Sequence, residues 1–111
     1  MIFDKDGQTA ILFQENVSLQ KFLENLKEGY DKIKNDNIIV NLTSFSRLTA
    51  EDLPLFLELS DMHREKGKSF VIVTEQVTFD DIPDELVVVP TLREANDLIE
   101  MDEIERDLDL E

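Results

Sequence analysis

Asn37-Ile38-Ile39-Val40-Asn41-Leu42-Thr43-Ser44-Phe45-Ser46-Arg47-Leu48-Thr49-Ala50-Glu51-Asp52-Leu53 is the stretch whose reading decides the fold. Its first part, residues 38–42, is an apolar run of strand length. A polar loop over 43–48 follows, and a helix starts near Thr49 to Leu53. A strand that feeds a helix N-terminus leaves backbone N–H groups unpaired and aims them at one surface spot. In open α/β sheets the carboxyl ends of the strands are where ligands and partners meet the fold. Ser44, Ser46, Arg47, Thr49, Ala50, Glu51 and Asp52 are therefore the expected interaction edge.

Working outward, Met1–Asp4 and Thr9–Gln14 read as two strands of a hairpin around Lys5-Asp6-Gly7-Gln8, whose Asp-Gly pair marks a turn. Ser18 is placed to cap a helix in which Leu19, Phe22, Leu23, Leu26, Tyr30 and Ile33 recur at helical spacing. Gly29 is tolerated inside it at about 1 kcal/mol against alanine. The second helix is expected over about 52–66. Pro54 confines its regular part to a start at Asp52 or Leu53, because a proline costs little in a first turn and about 3 kcal/mol deeper in a helix. Leu55, Phe56, Leu59 and Met62 are read as its inward face, and Gly67 as its end.

Ser69–Thr74 and Leu86–Val89 are continuous apolar runs, the pattern of parallel strands covered on both faces or set in the sheet centre. Residues 78–83 between them allow at most a short helical turn. Thr91-Leu92-Arg93-Glu94 is a capping box that opens the final helix. In that helix Leu92, Ala95 and Ile99 share one side, whereas Met101, Ile104 and Leu108 lie roughly opposite at 100° per residue. Either the helix breaks near 100–102 or the second stripe meets something other than the sheet. The expected order is ββαβαβ(α)βα: an α/β fold with a mostly parallel sheet of about five strands, one antiparallel edge strand, and helices packed on the sheet.

Composition bounds the chemistry. A chain of 111 residues makes one domain with its own core. Without cysteine it has no disulfide, thiolate nucleophile or cysteine zinc site. No basic region precedes a hydrophobic run at Met1, and no stretch approaches the roughly 20 apolar residues of a membrane span, so a cytoplasmic location is expected. The net charge of −15 is uneven. Residues 79–111 hold 13 Asp and Glu against Arg93 and Arg106, a balance of −11, and residues 1–78 hold 13 acids against nine bases, a balance of −4. This disfavours nucleic acid and anionic membrane as partners and permits a protein with a basic surface. The expected state is a monomer or weak homodimer.

The element order, the strand Ile38–Leu42 followed by Leu53, and Pro90-Thr91-Leu92-Arg93-Glu94-Ala95 together resemble the STAS domain, the fold of bacterial anti-sigma-factor antagonists and of sulfate-transporter cytoplasmic tails. The resemblance spans nearly the whole chain in topology and rests on few diagnostic residues. It implies one STAS-like domain over 1–100; the change of face and the acids of 101–111 make that segment an acidic amphipathic extension of the last helix. It also implies a non-enzymatic regulatory module that binds a protein. One departure matters. Antagonists of this type carry Asp-Ser-Ser-Gly, with a serine phosphorylated by a partner kinase, where Thr49-Ala50-Glu51-Asp52 stands here. The serine place holds Ala50 or Glu51, so that switch does not carry over. Glu51 and Asp52 suit a helix N-terminus, where acids are common; imitation of a phosphorylated surface is the secondary reading.

The residue sets of common enzymes are missing. His63 is the single histidine and is read as a surface or half-buried residue. Only Gly7, Gly29 and Gly67 occur, which excludes a P-loop and a dinucleotide-binding glycine fingerprint. Asp80-Asp81 with Asp84-Glu85 fits no calcium loop and reads as a solvated acidic loop. No cofactor, metal or catalytic residue is expected. The alternative to a protein-binding module is a small-molecule or nucleotide sensor that uses the N-terminus of the second helix as an anion site. Met101, Ile104 and Leu108 form a second candidate partner surface, in a segment expected to be dispensable for folding.

Overall fold

Asn37–Asn41 is the middle strand of a five-stranded sheet in the computed structural model, which describes residues 2–45, 48–77 and 79–109. Strands β1 (Ile2–Asp6), β2 (Thr9–Phe13), β3 (Asn37–Asn41), β4 (Phe70–Val73) and β5 (Val87–Val89) lie in the order β1-β2-β3-β4-β5. β1 pairs antiparallel with β2, and the remaining pairs are parallel. The hairpin turn is only Gly7-Gln8, closed by the Asp6–Thr9 pair. Gly7 has φ +61°, which glycine adopts without Cβ strain.

Parallel strands need crossovers, and the helices supply them. Helix α1 (Leu19–Ile33) connects β2 to β3, with the Ser18 hydroxyl accepting the Lys21 N–H at 3.1 Å. A 3₁₀ segment, Ala50–Phe56, and helix α2 (Leu57–Glu65) connect β3 to β4. A 3₁₀ turn at Phe79–Asp81 lies between β4 and β5. Side chains alternate across the sheet, so each strand divides its residues between two cores. Ala10, Leu12, Ile38, Val40, Phe70 and Ile72 join α1 and α2 in the larger one. Ile39, Val71 and Val73 face helix α3 (Leu92–Asp109), which covers them with Ala95 and Ile99. Both β3 and β4 are buried throughout, which explains their unbroken apolar runs. β5 differs from the expectation: it is a three-residue edge strand, half-buried, with no neighbour beyond it among the described residues.

The second helix does not become regular at Asp52 or Leu53. The 3₁₀ geometry persists through Pro54 to Phe56, and α-helix begins at Leu57. Its inward face keeps Phe56 and Leu59 as expected but not Leu55 or Met62. Leu55 and Met62 are 43% and 40% exposed, while Phe56, Leu59, Ser60 and His63 are buried. Two stripes compete on this helix, and the more apolar one loses because the other carries His63 to waiting partners.

His63 is fully buried, not on the surface. Its Nε2 lies 2.7 Å from the Asp36 carbonyl, which can only accept, so Nε2 carries the proton. Nδ1 then accepts the Tyr30 hydroxyl at 2.7 Å. The ring also packs edge-on against Phe70 at 6.3 Å, and Lys66 caps the Tyr30 ring at 4.9 Å. One neutral imidazole thus joins α1, α2, the turn before β3 and the start of β4. Desolvation lowers its pKa below 6.5; the Asp36 carbonyl opposes this, and Lys66, Lys68 and Arg106 add to the lowering. Ser60 Oγ is buried without a hydrogen-bond partner among the described residues.

Helix α3 runs unbroken from Leu92 to Asp109, so the break near 100–102 does not occur. At its start the Glu94 N–H donates to Thr91 Oγ1 at 3.1 Å, the N-cap bond of the expected capping box. Gly67, at φ +80°, follows α2, with its N–H donating to Arg64 O at 3.0 Å.

Thr91→Ala should cost about 1 kcal/mol in denaturant unfolding, and no loss would mean the cap is idle. For His63, the unfolded chain binds the proton more readily than the folded one, so stability is complete above pH 6.5 and falls as pH drops below it. The limiting slope is about 1.4 kcal/mol per pH unit for one proton. As His63 is the only histidine, its titration can be isolated between pH 7.5 and 5.5. Stability of the wild type should decline through this window, and that of His63→Gln should stay nearly level. Equal slopes would contradict the burial of a neutral ring.

Candidate functional site

The edge after β3 is built by hydrogen bonds between neighbouring loops. Asn41 Oδ1 accepts the Thr43 N–H at 3.1 Å and the Thr43 hydroxyl at 2.7 Å, turning the chain as it leaves the sheet. Ser44 Oγ donates to the Gln14 carbonyl at 2.8 Å, and Gln14 Oε1 accepts from Asn25 Nδ2 at 3.1 Å. The 42–45 turn is thereby tied to the β2–α1 loop and, through Asn25, to α1. Phe45 meets Phe22 edge-to-face at 5.8 Å, and Leu48 is buried in the larger core. Asn16, at φ +61°, shapes the opposite loop, a conformation that asparagine tolerates better than most residues.

Between these loops lies an open groove of about 430 Å³, lined by Asn16, Val17, Leu19, Ser44, Phe45, Leu48 and Asp52. It is shallow because of the strand order. The sheet runs monotonically from β1 to β5, with α1 and α2 on one face, so it has no switch point at which a crevice opens between helices on opposite faces.

The sequence-predicted residues divide into several groups here. Thr49 and Asp52 act together: Asp52 Oδ2 accepts the Thr49 N–H at 3.0 Å and the Thr49 hydroxyl at 3.3 Å, while the Asp52 N–H donates to Thr49 O at 3.0 Å. Ser44 and Asp52 share the groove, and Glu51 is exposed beside it without lining it. Ser46, Arg47 and the Ala50 side chain lie outside the described residues. The hydroxyls of Ser44 and Thr49 are thus engaged in holding the loop. Asp52 and Glu51 set negative charge in the first turn, the place where an anion would otherwise be drawn.

Met101, Ile104 and Leu108 belong to a separate surface. The last turns of α3 lie by the starts of β3 and β4, at the sheet edge opposite the groove. There Asn37 Nδ2 donates to Glu103 at 2.8 Å, and Arg106 donates to Ser69 Oγ at 2.6 Å and to Asn37 Oδ1 at 3.4 Å. Ser69 Oγ also donates to Asp102 at 2.7 Å. Sequence reasoning missed this cluster. Its only sign was a polar residue just before each of two buried apolar runs.

Among the described residues, no three His, Asp or Glu side chains gather to hold a metal ion, and no helix is long and apolar enough to cross a membrane. The fold is α/β, with one antiparallel and three parallel strand pairs. No family model matches the chain, and no curated protein matches it.

Proposed function

We propose that this chain is a STAS-like, non-enzymatic regulatory module that works in the cytoplasm by binding a protein through the 44–52 edge, without a phosphoserine switch. The observation that carries the reading is the shape of that edge. A hydrogen-bonded loop presents an open groove beside a 3₁₀ segment on which Glu51, Pro54 and Leu55 are exposed. A pocket for a small molecule encloses most of its ligand, whereas a shallow apolar-and-acidic rim suits a protein surface. The strand order and the single antiparallel edge pair support the STAS resemblance, as does the capped helix after Pro90. Two features support a ground state that needs no kinase. Ala50 and Glu51 stand where the family has serines, and the nearby Ser44 and Thr49 hydroxyls are occupied in loop bonds.

Co-purification from the native host tests the reading. A protein should be retained by the wild-type chain and lost from Glu51→Lys and Leu55→Glu, with melting temperature little changed in both variants. Intact mass should show one unmodified species. If no protein is retained and a nucleotide or small metabolite raises the melting temperature, the sensor reading replaces this one. Phosphate localised to residues 43–52 would overturn the absence of a switch.

A further inference from the structure

The second half of α3 is amphipathic in the wrong sense for a helix lying on a sheet. Its inner side carries Asp102, hydrogen-bonded to Ser69, Glu103, hydrogen-bonded to Asn37, and Arg106, hydrogen-bonded to both. Its outer side carries Met101, Ile104 and Leu108, which are 57%, 60% and 62% exposed. The three lie at i, i+3 and i+7, within one narrow stripe of the helix surface. Rotating the helix to bury them would break the polar cluster and leave Asn37 and Ser69, both nearly inaccessible, without side-chain partners. The apolar stripe is therefore held outward.

The charges around the stripe select what can cover it. Glu105 borders one side, Glu100 and Asp107 border the other, and Asp97 continues the line toward the helix start; all four are exposed. Between Glu94 and Asp109 the only base is Arg106, which is turned to the sheet. A second copy would set Glu100, Glu105 and Asp107 against their equals, within the roughly 8 Å over which charges act at physiological salt. An anionic membrane is repelled by the same acids. We propose that the outer face of α3 is a docking surface for a basic amphipathic helix of another protein, with apolar residues at three-and-four spacing set against Met101, Ile104 and Leu108 and flanking lysines or arginines set against Glu100, Glu105 and Asp107. This surface is separate from the 44–52 edge, and its test does not depend on that edge.

Fluorescence anisotropy of a labelled synthetic leucine–lysine peptide with leucines at helical spacing, titrated with the full chain at about 0.15 M salt, measures the docking directly. The peptide should bind. Ile104→Gln together with Leu108→Gln should weaken it about tenfold or more by removing two apolar contacts. Glu100→Gln with Glu105→Gln should weaken it and flatten its salt dependence. Both variants alter exposed positions, and thermal melts should show them folded. A Glu51→Lys chain should bind the peptide as the wild type does. Three results would overturn the proposal: no binding of the amphipathic peptide, equal binding of a scrambled peptide of the same composition, or stripe-dependent self-association of the chain in sedimentation.

Discussion

The side-chain amide of Asn37 is the interaction on which the arrangement of this molecule depends most. It sits at the first residue of the central strand and is nearly inaccessible to water. Its Oδ1 accepts the Ser69 N–H at 3.0 Å, aligning the start of β4 with the start of β3. Its Nδ2 donates to Glu103, and Arg106 reaches the same oxygen, so both ends of the amide hold α3 to the strand starts. The Asn37 backbone N–H donates to the Gln8 carbonyl at 2.8 Å, bringing in the hairpin turn as well. A buried amide left without these partners would carry a desolvation penalty of about 1–3 kcal/mol, which makes the arrangement specific as well as favourable.

This constraint matters because the two faces of the sheet are not equally covered. The face under α1 and α2 has a large aromatic and aliphatic core, stitched at one end by the neutral His63 between Tyr30 and Asp36. The other face rests on a small cluster in which α3 supplies only Ala95 and Ile99 as buried apolar side chains. Polar contacts at the strand starts complete that cover. They also determine which side of α3 meets the sheet, and so leave the apolar stripe on the outside.

Much of the fold was legible in sequence because local signals agreed with the final packing. Ser18, Gly7, Gly67 and Thr91 each do what their residue type and position suggest. The apolar runs at 38–42 and 69–74 lie in the sheet centre, where period-two alternation has no reason to appear. Two of the failures, at the inner face of α2 and at the strand starts, share a cause: a polar residue won a place that an apolar one seemed to deserve. Met62 yields the inner face of α2 to His63, whose burial is favourable only because Tyr30 and Asp36, remote in sequence, satisfy both ring nitrogens. Asn37 and Ser69 gain their meaning from Asp102, Glu103 and Arg106, more than 30 residues away. Periodicity cannot see such pairings. At the candidate edge, the position of the loop was readable, but the occupation of its hydroxyls by Gln14 and Asp52 was not.

Amide hydrogen exchange across residues 100–109 tests the central claim most directly. These amides lie in the last turns of a helix whose outer face is exposed, and their protection depends on the polar anchoring to Asn37 and Ser69. Protection should be measurable at these amides in the wild-type chain. In Asn37→Ala that protection should be lost from 100–109, while the amides of β3 and β4 remain slow. Rapid exchange of 100–109 in the wild type, or unchanged protection in Asn37→Ala, would contradict it.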